Sequence, residues 1–444
     1  MTKRVQGKEA GAVPYRVSCD SIVLFPPHVR GERPIFAKNS DRPAGECQPL
    51  LQVPATDHAA GDRLRCTYIE IDQVEHTYGF LGSRPHWLWG CEHGVNDHGV
   101  AIGNHTIYTR DPVPSTGLLG MDLVRLGLER GETAEAAADA IIRLIEEHGQ
   151  GGSGFDGVDW PYNNSFLLAD GTTGFLLEAS GRNWALRRFT DRGSASNHTT
   201  IGTEWERLSE NCEAHAREQG WWAHDGERFD FASAYRDATT IPPFVSSGRY
   251  RATCDAAPEG KPADIGSLKA LLRDHYGEDQ IYRPGVDPST EEYFSICMHA
   301  DSIGQTTASM IVELGADKDE LTTCWIALGN PCMSVYLPVF PEADIPAALL
   351  AGGKEPSEES AWFRFKRLSE LVAKDVSANA QLVFDHWAAY EQQLDAVTTE
   401  IAAAVEMGDL DSGCEERTDL LEEFMNEAWA ATAEQLDELE AKLS

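Results

Sequence analysis

Three apolar runs, Ser165 to Ala169, Gly174 to Glu178 and Trp184 to Phe189, follow one another across the turns Asp170-Gly171 and Gly181-Arg182-Asn183. Strand-like runs this closely spaced read as a meander, so the chain must build antiparallel sheet. Shorter runs at 20 to 25, 34 to 37, 66 to 71 and 99 to 103 precede it, and strand-like patterns return at 291 to 314 and 321 to 340. Between them stand two helical segments, Leu118 to Arg130 and Ala134 to His148. The second gathers Ala137, Ile141, Leu144 and Ile145 on one face, with Thr133 placed to cap its first turn.

Residues 205 to 240 read as mixed and partly helical, and 356 to 443 as strongly helical and acidic. In the last helix Leu420, Leu421, Phe424, Met425, Ala428, Trp429, Leu436 and Leu439 form a broad apolar stripe interrupted by Thr432, suited to packing on the main domain or another subunit. This order of elements predicts an α+β layered domain in which helices cover the outer faces of two packed sheets. Residues 341 to 358, rich in Pro and Gly, are the best linker candidate. The predicted division is a main domain over 19 to 340 and a linker with an acidic helical region over 341 to 444. The glycine-rich loop His148 to Gly154 lacks a following Gly-Lys-Ser/Thr and a preceding strand, so a phosphate cradle is set aside.

Charge excludes two classes of partner. The chain carries 72 acidic and 37 basic residues, a net charge of -35, with 27 Arg and only 10 Lys. Such a surface repels nucleic acid and anionic membranes. The acid is spread along the chain, which fits a surface adapted to high salt, where screening acts within about 3 Å at 1 M. No stretch approaches the length of a membrane span, and residues 1 to 18 are too polar for a signal peptide, so a cytoplasmic location is expected. Ten cysteines at 19, 47, 66, 91, 212, 254, 297, 324, 332 and 414 include no Cys-x-x-Cys pair. Structural zinc and redox motifs are thereby disfavoured, neither metal nor cofactor is expected, and most thiols should be buried apolar groups.

One of those cysteines has a special setting. Cys19 stands just ahead of the apolar run 20 to 25, and Phe36-Ala-Lys-Asn-Ser-Asp-Arg-Pro43 follows after one turn. Cutting the bond between Ser18 and Cys19 would give one residue a thiol and a free α-amine. Such an amine, titrating near 8, can accept the thiol proton without a catalytic histidine. Asp41 supplies a carboxylate at the end of the next strand. Asn96, in a tight turn before a strand, and Asn197, after the meander, are amides of the type that donates to an oxyanion.

These segments resemble a family. Cys19-Asp-Ser21, Phe36 to Pro43, Cys66 to Val74, Ser83-Arg-Pro-His-Trp-Leu-Trp-Gly90, Gly94-Val-Asn-Asp-His-Gly99, Gly120 to Arg130, Asn164 to Asp170, Gly220-Trp-Trp222 and Ser295-Ile-Cys-Met-His299 together look like a secernin, over roughly residues 17 to 340. Secernins belong with the cysteine dipeptidases and more distantly resemble penicillin V acylase and bile salt hydrolase. The resemblance implies the four-layer αββα fold of N-terminal-nucleophile hydrolases, here with a C-terminal helical extension. It also implies autocatalytic removal of a leader, residues 1 to 18, and amide hydrolysis through an acyl-enzyme on Cys19. In the roles it implies, Asp41 orients the amine or thiol, and Asn96 and Asn197 serve the oxyanion site or hold the amine. Lys38, where the acylases carry Arg, together with Arg42 and Arg249, are the cations available to a substrate carboxylate. His198 and His299 are expected to be structural or to line the substrate. The expected substrate is a peptide or small amide, with a dipeptidase or related exopeptidase foremost, and a homo-oligomer would form through the C-terminal helices. A non-catalytic scaffold and a hydrolase of non-peptide amides are the alternatives.

Overall fold

A computed structural model describes residues 19–224, 226–277, 280–300, 303–315, 320–406 and 412–444; the expected leader, 1 to 18, lies outside the described residues. In chain order the main elements are β1 (Asp20–Leu24), β2 (Ile35–Arg42), β3 (Leu50–Val53), β4 (Phe80–Ser83), β5 (His93–Asn96) and β6 (Ala101–Ile107). Helices α1 (Gly120–Arg130) and α2 (Ala134–His148) follow, then β7 (Asn163–Ala169), β8 (Gly174–Ser180), β9 (Asn183–Phe189) and β10 (Arg192–Ala195). The chain continues through α3 (Phe244–Cys254), α4 (Ile265–Leu272), β11 (Gly304–Glu313), β12 (Thr323–Leu328) and β13 (Leu337–Val339), and ends in α5 (Ala361–Ala373), α6 (Val376–Glu406) and α7 (Glu415–Leu443).

The strands form two antiparallel sheets. Sheet one runs β10-β1-β2-β11-β12-β13, with His299–Ala300 added beside β11; sheet two runs from Arg207–Leu208 through β9, β8, β7, β6, β5 and β4 to β3. The meander is as expected, with Phe166 opposite Leu177 and Leu177 opposite Leu186.

Period-2 alternation sorts side chains into layers. From sheet two, Leu167, Ala169 and Leu176 join Val23, Phe36, Met310 and Val312 of sheet one in a core between the sheets. Their neighbours Phe166, Leu168, Phe175 and Leu177 pack with Leu123, Ile141 and Ile145 of α1 and α2. On the far side, Ile22, Leu24, Ala37 and Ile311 pack with Leu268 and Leu272 of α4. Helix, sheet, sheet, helix is therefore the layer order, the four-layer αββα arrangement. Thr133 caps α2, its Oγ1 accepting from Ala136 N at 3.1 Å.

Two expectations change. The run 66 to 71 is not one strand: Cys66 N donates to Ile69 O across a turn at 2.9 Å, leaving a small ribbon of Arg63–Arg65 against Glu70–Asp72. The stretch after 340 is not a free linker either, because Gln52 Nε2 donates to Ala343 O at 2.8 Å and Gln52 Oε1 accepts from Ile345 N at 3.1 Å. Beyond it, Trp362, Trp387, Leu421, Met425, Leu436 and Leu439 are buried in the same core that lies between the sheets. Polar contacts fix this docking. Trp362 Nε1 donates to Thr307 O of β11 at 2.9 Å, and Arg273 makes a two-pronged buried contact with Glu391 of α6. Most of the terminal stripe thus faces its own domain, Leu420 being exposed, and Thr432 interrupts it harmlessly by donating to Ala428 O at 2.7 Å. No described helix is long and apolar enough to cross a membrane.

Candidate active site

Cys19 directly precedes β1. The register that sets Asp20 opposite Asn39 brings Cys19 beside Ser40 and Asp41 at the far end of β2. Its φ is +89°, a conformation disfavoured for any residue with a Cβ and found where structure over-determines the backbone. Cys19 N donates to Asp41 Oδ2 at 3.2 Å. Asp41 Oδ1 in turn accepts from Thr306 Oγ1 of the neighbouring strand β11 at 2.6 Å. Behind them Arg249 of α3 donates to Asp20 Oδ2 at 2.6 Å and lies 3.8 Å from Asp41 Oδ2, all three side chains fully buried. Burial drives the Asp41 carboxyl up to about 6, with Arg249 pulling it back and Asp20 pushing it further.

The thiol points the other way, into the space between the sheets. It lies 3.6 Å from Glu92 Oε2 and 3.9 Å from Ser40 Oγ. Burial pushes it up to about 11; Lys38 opposes this, while Glu92 and Asp41 add to it. While its nitrogen is an amide, this thiol is protonated at neutral pH. Lys38 reaches it by lying across Gly103 of β6, where a methyl group would overlap Lys38 Cδ and stand 3.0 Å from Cε. Gly103→Ala is therefore expected to displace Lys38 and to cost about 1–3 kcal/mol in urea unfolding. An unchanged midpoint with unchanged thiol reactivity would show that the ammonium does not need this gap.

The remaining expected residues divide. Asn197 reaches the site through Arg249, its Oδ1 accepting from Nη2 at 2.7 Å while its Nδ2 donates to Thr106 O at 3.0 Å. Glu178 stiffens that segment by accepting from Thr200 and Ile201 backbone N–H groups; burial raises its carboxyl to about 7. Asn96 is elsewhere. It ends β5, four residues beyond the Glu92 that meets the thiol, or about 13 Å at roughly 3.3 Å per residue. Both its amide hydrogens go to the end of α1 and its cap, Leu128 O at 2.9 Å and Gly131 O at 2.8 Å. Its Oδ1 accepts from His98 and Val100 N–H groups, so it closes a turn and has no donor left for an oxyanion.

The three expected carboxylate binders are already engaged. Arg42 grips Glu46 with Nε and Nη2, both at 3.0 Å, and Glu92 with Nη1 at 3.0 Å. Arg249 is held by Asp20 and Asn197, and Lys38 sits against the thiol and donates to Asn39 O at 3.2 Å. His198 contacts Ser246 Oγ at 2.7 Å and is pushed down to about 3, chiefly by burial, so it is a neutral structural group.

Sequence reasoning missed Asp20, Glu92, Asn104 and Thr306. Asn104, in the amide orientation that satisfies both its ends, donates to Glu92 Oε2 at 2.7 Å and Glu92 O at 3.1 Å, fixing the carboxylate beside the thiol. Asp20 adjoins Cys19, and an acid flanking the nucleophile was a signal within reach. Glu92 and Thr306 come from distant segments with no local pattern to mark them.

No protein-family model matches the chain. Among solved structures, a mutant of the conjugated bile acid hydrolase from Clostridium perfringens overlaps it at 10% identity and a TM-score of 0.40, covering 69% of this chain and 88% of that one. A second variant of that hydrolase gives 11% and 0.39 over the same shares. The N-acylethanolamine-hydrolyzing acid amidase ortholog of Caenorhabditis elegans gives 10% and 0.33, over 66% of this chain and 92% of that one. These overlaps are distant, so function is read from the geometry around Cys19.

Proposed function

We propose that the chain is a self-processing cysteine amidohydrolase whose nucleophile and base are the thiol and α-amine of Cys19. The observation that carries this is the bond from Cys19 N to Asp41 Oδ2 in a backbone conformation with φ of +89°. The nitrogen that must become the base is already held by a buried carboxylate. In the first step Cys19 Sγ attacks the carbonyl carbon of Ser18, the peptide nitrogen leaves as an amine, and water hydrolyses the resulting thioester. In each later turnover the amine takes the thiol proton and Sγ attacks the substrate amide carbon. The protonated amine then gives its proton to the departing nitrogen, and water releases the acyl group. Lys38 is the positive charge placed to stabilise the thiolate.

Short peptides are the first substrate class. The engagement of Arg42 and Arg249 favours a second reading, hydrolysis of amides whose acyl part carries no charge. A panel of dipeptides against N-acylated amino acids separates the two; turnover of the acylated set alone would exclude the peptidase. A non-catalytic scaffold would use the terminal helices to hold a partner; most of their apolar face lies in the domain's own core, with Leu382, Val397 and Leu420 left exposed.

Asp41 links the chemistry to pH. Its folded value, about 6, lies above the ordinary 3.8, so burial favours the protonated acid. The resulting contribution to stability is complete below the unfolded value and is lost as pH rises through about 6. Cleavage requires the opposite form, since the ionised carboxylate accepts from both Cys19 and Thr306. Loss of the leader is expected to slow below about pH 6, followed by mass spectrometry of freshly refolded chain. A rate unchanged down to pH 4.5, roughly an ordinary Glu value, would detach Asp41 from this step.

A further inference from the structure

We propose that His275, Cys297, His299 and Cys332 form a zinc site, distinct from the Cys19 centre and independent of the function argued for it. The four ligand atoms all lie within 4.8 Å of one another. His299 Nε2 is 3.5 Å from Cys297 Sγ and 3.2 Å from Cys332 Sγ. With Zn–S near 2.3 Å and Zn–N near 2.0 Å, the sulfur-to-nitrogen edge of a tetrahedral site is about 3.5 Å. Two edges of the tetrahedron therefore already stand close to coordination length. Two thiols and two imidazoles are a borderline-soft set that suits zinc and not magnesium or calcium. Both cysteines are free and buried.

A second observation points to a missing ligand. Both ring nitrogens of His275 are shielded from solvent, and neither has a hydrogen-bond partner. Imidazole nitrogens in protein interiors are normally satisfied, and a bound cation would satisfy one. The surroundings are built to hold the ligands still. Tyr282 stacks on His299 with ring centroids 3.9 Å apart, and Cys297 N donates to Asp274 O at 3.0 Å. Arg273 fixes the turn that carries Cys332, donating to Pro331 O at 2.8 Å and Ser334 O at 3.0 Å. A cavity of about 460 Å³ reaches His275 and His299 and offers an entry path. Zinc would displace one proton from each thiol, leaving a complex of zero net charge suited to an interior.

The site would clamp three segments, one of which leads to Asp41. Met298, between two ligands, donates from its backbone to Thr306 Oγ1 at 2.9 Å, the hydroxyl that donates to Asp41. Zinc is thus a structural brace for the carboxylate that holds Cys19.

Full-length protein made in zinc-supplemented medium should contain about one zinc per chain by plasma mass spectrometry. Cys297→Ser and Cys332→Ser should each lower this to under about a tenth, while Cys254→Ser and Cys19→Ala keep it. Should the serine variants fail to fold, wild-type chain grown with cobalt replaces them, and it should show thiolate-to-metal absorption. A metal-free wild type, zinc retained in Cys297→Ser, cobalt protein without that absorption, or a Cys297–Cys332 disulfide seen as a chain two hydrogens lighter would each overturn the proposal. Because Cys19→Ala is inactive by design yet should keep its zinc, metal content and catalysis are read separately.

Discussion

Purified Cys19→Ala is expected to keep Met1 to Ser18 and to lose amide hydrolysis by about 10⁴-fold or more, since under the proposed mechanism it removes the group that forms the acyl-enzyme. Wild-type chain should give an intact mass that begins at Cys19. Cys19→Ser retains an oxygen nucleophile and the same nitrogen, so partial, slow leader loss is expected. The comparison isolates the sulfur, because alanine removes that one buried atom and keeps the backbone nitrogen in place. Hydrolysis by a chain that still carries its first 18 residues would sink the mechanism, since the thiol then has no amine base and sits near 11.

The second large effect is on stability. Arg249→Met should cost about 3–5 kcal/mol, because Asp20 and Asp41 are left as buried carboxylates without their shared cation. The midpoint of urea unfolding measures it. Asn197 Oδ1 loses the bond from Arg249 as well, so leader loss should also fail in whatever fraction folds. Replacing Asp20 with Asn in the same chain removes one of the two orphaned charges and should recover part of the loss. A Met variant as stable as wild type would show that the arginine is dispensable to the core.

The layered fold was readable because each signal was local. The meander is marked by its turns, Asp170-Gly171 and Gly181-Arg182-Asn183, and Thr133 caps the helix it precedes. Cys19 and Asp41 pair for an equally local reason, since adjacent antiparallel strands bring one strand's start to the other's end. Asn96 misled because asparagine suits turns and oxyanion sites alike; only its four bonds within the β5–β6 turn and the end of α1 decide between them. Arg42 misled in another way, for a cation beside a nucleophile looks like a substrate anchor until its anions are found at Glu46 and Glu92. The His275, Cys297, His299 and Cys332 cluster was invisible to spacing rules, because a single Cys-x-His is completed by residues from two remote segments.

The thiol's neighbours also set a timetable. Lys38 and Asp41 come from the second strand, Glu92 from just before β5, Arg249 from a later helix and Thr306 from a strand that cannot pair before most of the protein has been synthesised. A nascent chain holds Cys19 early but lacks the surroundings that would activate it. Under the proposed chemistry, breaking the bond after Ser18 acts as a checkpoint passed only by molecules that have assembled both sheets, so an unfinished or misfolded copy stays chemically silent in the cell.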